Sequence, residues 1–179
     1  MIAFQHMLKG IIFLQAIIKA FWQITLFRSG PQTLPDSQLL LMFAGLVYVL
    51  SNVLFIFVQY PVYSLPAVVV DLILISVWCC GLLAFFGLAG RIRQTLTAMF
   101  GAGALLQFIT LPIIVTSGKG TPGIFTMLAL VIILLWSTAV HGYILSRALD
   151  KSFGIGIALA VVYFFISNGI LGPLLVPAA

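Results

Sequence analysis

The sequence predicts an all-α integral membrane protein: five transmembrane helices preceded by an amphipathic interfacial helix, with the N-terminus inside and the C-terminus outside. Three observations predict it. Of 179 residues, 63% are hydrophobic and only 6% charged, against about 25% charged in average soluble domains. A soluble fold this poor in charge could not cover its surface, so lipid must serve as its solvent. The apolar runs are each about as long as the ~20 residues a span needs, and Pro- and Gly-rich breaks separate them. Finally, the basic residues are distributed asymmetrically about those runs.

Residues 1–28 are the expected amphipathic segment. Gln15, Lys19 and Gln23 recur every four residues and stack on one side of a helix, with Gln5 and Lys9 close to the same side. Phe13, Ile17, Phe21 and Ile24 take the other side. Such a helix lies in the interface, its apolar face in the acyl boundary and its lysines among the headgroups. The alternative is a sixth span, but a central Lys19 would then cost ~2.5 kcal/mol or more. The polar interruptions and the lack of an A-x-A-like site also argue against a cleaved signal peptide.

Residues 29–179 form the transmembrane domain. RSGPQTLPDSQ (28–38) is a loop in which Asp36 or Ser37 can cap the next helix. The spans are expected at about 38–60, 66–90, 95–117, 124–146 and 153–175. Pro66 suits a first helical turn, SGKGTPG (117–123) is a turn, and Gly172-Pro173 should break or kink the end of the last span. On this map Lys9, Lys19, Arg28, Arg91, Arg93, Arg147 and Lys151 share one side, and Lys119 alone lies on the other. The positive-inside rule makes the first side cytoplasmic, and a bacterial-type inner membrane is the expected location.

Two ionisable residues fall inside spans, Asp71 and His141. Such residues mark functional sites by default. Counting at 1.5 Å per residue puts Asp71 ~7 Å below the outer edge and His141 ~9 Å above the inner edge. In a ~30 Å core that separation argues against a direct pair. Asn52, Gln107 and Asn168 form a polar layer just past the midplane, either a path for a solute or proton or a set of interhelical hydrogen bonds. Proton relays use Asp, Glu or His chains, and none is expected at that depth. Small residues mark close helix contacts: Ala98 and Ala102 in the third span, Gly154, Gly156 and Ala160 in the fifth.

No HExxH, GxSxG, Walker loop or CxxCH site is present. Cys79 and Cys80 are adjacent and deep in an apolar run, so they read as packing residues rather than a metal or disulfide site. With three acids, and with His6 distant from His141, no catalytic, metal or cofactor site is expected. The net charge of +5 sits beside the apolar runs, where it anchors helices to lipid rather than binding nucleic acid.

The stretches GRIRQTLTAMFGAGALLQFITLPI (90–113) and LLWSTAVHGYILSRALDKSFGIGIALAVV (134–162) resemble the later spans of bacterial members of the Yip (Rab/Ypt-interacting) family. The layout of a cytoplasmic amphipathic segment before five closely spaced spans is similar too. The DLYGP-type signature of the eukaryotic members is absent, so Rab binding does not carry over. The resemblance implies a non-enzymatic membrane protein that assembles with others or shapes membrane organisation, and it supplies no site residue. The leading expectation is therefore a non-catalytic scaffold or accessory subunit, whose partners are lipid and other membrane proteins or a second copy. The alternative is a small transporter or channel using the polar layer and Asp71.

Overall fold

The computed structural model describes residues 15–59, 65–117 and 123–175. Residues 15–25 form α1, and a 3-10 turn, Pro31–Thr33, follows. The long helices are α2 (Gln38–Gln59), α3 (Pro66–Phe85), α4 (Ile92–Ser117), α5 (Ile124–Ala148) and α6 (Phe153–Leu175). Among the described residues, these five are the helices long and apolar enough to cross a membrane. Lys9 and Phe13 of the amphipathic segment and Lys119 of the fourth connection lie outside the described residues.

One span boundary and one expected break differ from expectation. The second span was expected to reach residue 90, but α3 ends at Phe85 because Gly87 turns into the left-handed region (φ 72°). The Leu88 N–H then returns to the Leu83 carbonyl at 2.7 Å, which closes the helix. At the far end, α6 runs through Pro173 to Leu175 instead of breaking there. A proline this close to a helix end forfeits a single backbone bond, which the last turn can tolerate.

The ends of α1 and α5 repeat the closure seen after α3, but without glycine. Phe27 (φ 60°) follows α1, and the Arg28 N–H bonds the Gln23 carbonyl at 2.9 Å. Asp150 (φ 51°) follows α5, and the Lys151 N–H bonds the Ser146 carbonyl at 2.9 Å. A non-glycine residue in this region costs roughly 1–2 kcal/mol, so each side chain needs a compensating role. Phe27 packs its ring against Trp136, Tyr143 and Phe153 at centroid distances of 5.5, 5.3 and 6.2 Å. Asp150 pairs with Arg91 at 2.5 Å.

Helix α4 is the hub. It packs along α2 and α5 and touches α3, while α5 and α6 form the most extensive pair. Ala98, Met99 and Ala102 of α4 are fully buried in the central core with Ile75 and Cys79 of α3 and Ile144 of α5. The apolar face of α1 joins this core through Ile17, Phe21 and Ile24, leaving Gln15 and Lys19 exposed. The Phe21 ring covers Gly101, where an added Cβ would sit 2.3 Å from it.

The α5–α6 seam depends on two glycines. A Cβ on Gly156 would meet the Gly142 carbonyl oxygen at 2.1 Å, and one on Gly142 would meet the Ile157 Cα at 2.8 Å. Ala160 continues the seam and is buried. Gly154, expected among the packing residues, is exposed with open space around it. Two residues from Gly156 is 200° of helix rotation, which turns it away from α5.

Candidate functional site

The middle of the bundle holds a polar centre to which all five long helices contribute. From α2, the Tyr48 hydroxyl donates a hydrogen bond to Oδ2 of Asp71 on α3 at 2.5 Å. Tyr48 is buried, its ring tilted against that of Phe100 at 5.3 Å and pressed against Gly103 of α4. A Cβ at Gly103 would lie 2.8 Å from that ring, so glycine there gives the tyrosine its place.

One turn further along α2, Asn52 joins α4. Gln107 Nε2 donates to Asn52 Oδ1 at 2.8 Å, and Asn52 Nδ2 donates to the Tyr48 carbonyl at 2.9 Å. From α5, His141 Nδ1 lies 2.7 Å from the Ser137 carbonyl. A carbonyl oxygen can only accept, so Nδ1 carries a hydrogen and, in the neutral ring, Nε2 is left as an acceptor. From α6, Tyr163 stands beside Asp71 and Ser167.

Asp71 and His141 form no direct hydrogen bond or ion pair: Asp71 is bonded by Tyr48 and His141 by the Ser137 carbonyl. Residue counting assumed that each residue reaches no further than its own backbone. Tyr48 removes that restriction, because its long side chain ends on Asp71 while it shares a cleft with His141.

That cleft, of about 360 Å³, lies between α2, α4 and α5, with Tyr48, Gln107, Thr110, Ser137 and His141 as its polar lining. Two buried polar atoms near the centre have no protein partner: Trp78 Nε1 and Gln107 Oε1. The Trp78 and Tyr163 rings lie 6.0 Å apart. Leaving such a group unpaired costs roughly 1–3 kcal/mol. Gln107, which lines the cleft, offers it an acceptor.

The expected polar layer is brought together only in part. Asn52 and Gln107 meet directly. Asn168 does not join them: it is exposed and bonds the Phe164 carbonyl of its own helix at 2.8 Å. Its neighbour Ser167 is the residue that turns inward. Sequence reasoning passed over Tyr48, Tyr163 and Ser137, although each lies four residues from a polar residue on the same helix face: Asn52, Ser167 and His141.

Among the described residues, no group of three or more His, Cys, Asp or Glu side chains could hold a metal ion. No protein family, curated protein or solved structure matches the chain.

Proposed function

We propose that this chain is a small proton-handling transporter or channel, with Asp71 as its protonatable carboxyl. The observation that carries this reading is the Tyr48–Asp71 pair at the heart of a five-helix polar centre. A charged side chain within a membrane span is costly and marks a functional site by default. A scaffold that needs only packing gains nothing from that cost, whereas a proton path requires such a group. The sequence argument against a relay was that no Asp, Glu or His chain lay at the depth of the polar layer. Tyr48 is bonded to Asp71 and shares a cleft with His141 and Gln107. Asp71 accepts the proton, Tyr48 holds the carboxylate in place, and His141 Nε2 offers a second acceptor. No bond in a substrate is made or broken, so the chain is read as a non-enzyme.

The proposal includes the topology. The end bearing Arg28, Arg91, Arg93, Arg147 and Lys151 faces the cytoplasm of a bacterial-type cell, and α1 lies at that boundary. A Yip-type membership remains part of the reading, on the resemblance of residues 90–113 and 134–162.

A second reading, an accessory subunit of a larger assembly, is supported by α5. Almost none of its apolar stretch is buried within the chain, so a partner could cover what lipid otherwise would. Purified protein in vesicles separates the two. With an encapsulated pH-sensitive dye and an imposed pH gradient, the transporter reading expects proton flux above that of protein-free vesicles. Flux equal to protein-free vesicles, with migration as a large complex on a blue-native gel of native membranes, would favour the accessory reading.

A further inference from the structure

We propose that the basic end of the bundle carries a binding site for the phosphoryl headgroup of an anionic phospholipid. A cavity of about 590 Å³ opens there, lined by Phe27, Tyr143, Ser146, Arg147, Lys151 and Phe153. It is separate from the polar centre.

The charge balance at this end makes the site electropositive. The chain has three acidic residues, Asp36, Asp71 and Asp150. Asp36 pairs with Arg93 at 2.9 Å, Asp150 pairs with Arg91 at 2.5 Å, and Asp71 is engaged by Tyr48 in the bundle. No carboxylate side chain is left for Arg147 or Lys151. Both are exposed and are held by rings instead. The Arg147 guanidinium lies 5.2 Å from the Tyr143 ring centroid and the Lys151 ammonium 5.5 Å from that of Phe86. Cation–π contacts position a cation without neutralising it.

The backbone adds to the same field. α6 begins at Phe153, so its first-turn N–H groups lack intrahelical acceptors and favour an anion. The C-terminus of α5, which would repel one, is capped. The carbonyls of Leu145, Ser146, Arg147 and Ala148 accept bonds from Leu149 N, Lys151 N, Gln32 Nε2 and Arg91 Nη1.

The walls select a lipid over a free anion. Phe27, Tyr143 and Phe153 form an aromatic cluster at the end of the spans, where aromatic rings meet the headgroup level. Basic pockets between transmembrane helices at that level bind phospholipid headgroups. Phe27 adopts its left-handed backbone to complete this wall.

Native mass spectrometry of the detergent-solubilised full chain, titrated with phosphatidylglycerol or phosphatidylcholine, tests the proposal. Phosphatidylglycerol is expected to stay bound where phosphatidylcholine dissociates. At about fivefold per cation near a headgroup, the Arg147→Gln/Lys151→Gln chain should bind phosphatidylglycerol roughly 25-fold more weakly. Arg147→Lys/Lys151→Arg, which preserves charge, should retain most of the binding. Lys19→Gln, an exposed cation outside the cavity, should leave it unchanged. If the double variant does not fold, Lys151→Gln alone, in an exposed turn, should lose about fivefold. Equal retention of the two lipids, unchanged binding in the cavity variants, or an equal loss in Lys19→Gln would overturn the proposal. So would inorganic phosphate saturating the site while phosphatidylglycerol does not bind.

Discussion

The hydroxyl of Tyr48 on α2 donates to the carboxylate of Asp71 on α3 across the interior of the bundle. These two helices otherwise touch sparingly, α2 packing mainly on α4 and α3 mainly on α6. The bond therefore ties together elements that packing alone holds loosely.

Removing the donor should weaken the fold. Tyr48→Phe keeps the ring on Phe100 and deletes only the hydroxyl, so the expected loss is about 0.6–1.7 kcal/mol, the range for interhelical hydrogen bonds in membranes. Asp71→Asn keeps an acceptor and loses less. Thermal unfolding in mild detergent measures both, and the Tyr48→Phe/Asp71→Asn double variant should fall short of the sum of the single losses. Additive losses would show that the bond contributes nothing.

The α5–α6 seam makes a contrast between two glycines. Gly156→Ala drives a methyl into the Gly142 carbonyl, and backbone cannot swing aside, so a loss of about 1–3 kcal/mol is expected. Gly154→Ala meets open space and should change stability by no more than about 0.5 kcal/mol. Equal effects would place both glycines on the same footing and contradict the seam.

Phe27 separates backbone strain from side-chain packing. Replacing it removes the ring from the Trp136, Tyr143 and Phe153 cluster, so both Phe27→Ala and Phe27→Gly should destabilise. Alanine retains the left-handed strain and glycine does not, so the alanine variant should be the worse of the two by about 1 kcal/mol. In an ordinary helical position the order would be reversed.

The amide layer yields a graded expectation. Asn52→Leu breaks the Gln107 contact and should cost about 0.6 kcal/mol, the average for interhelical hydrogen bonds in membranes. Asn168→Leu, exposed and bonded only to its own helix, should cost less or nothing. A chemical unfolding series with both variants checks the order.

The spans were legible because runs of apolar residues separated by breaks such as the one before Pro66 and SGKGTPG (117–123) leave few alternatives. Side-chain direction was not. In α6 nearly every residue is apolar, so no stripe marks the inner face. Asn168 and Ser167 differ by 100° of rotation, and the structure buries the serine. The Tyr48–Asp71 bond was hidden for another reason: depth counted along separate helices ignores the reach of a tyrosine. The i, i+4 pairs Tyr48/Asn52 and Tyr163/Ser167 were readable signals, and they mark the polar centre.

With three acidic residues, all aspartate, every carboxylate side chain can be tested in turn. Proton flux into vesicles containing wild type, Asp36→Asn, Asp71→Asn or Asp150→Asn is the most direct measurement. Asp36 and Asp150 serve ion pairs at the basic end, so their variants should conduct like wild type. Asp71→Asn should abolish the flux while remaining folded. Flux through Asp71→Asn equal to wild type, or an equal loss in all three variants, would contradict the assignment of Asp71 as the proton-carrying group.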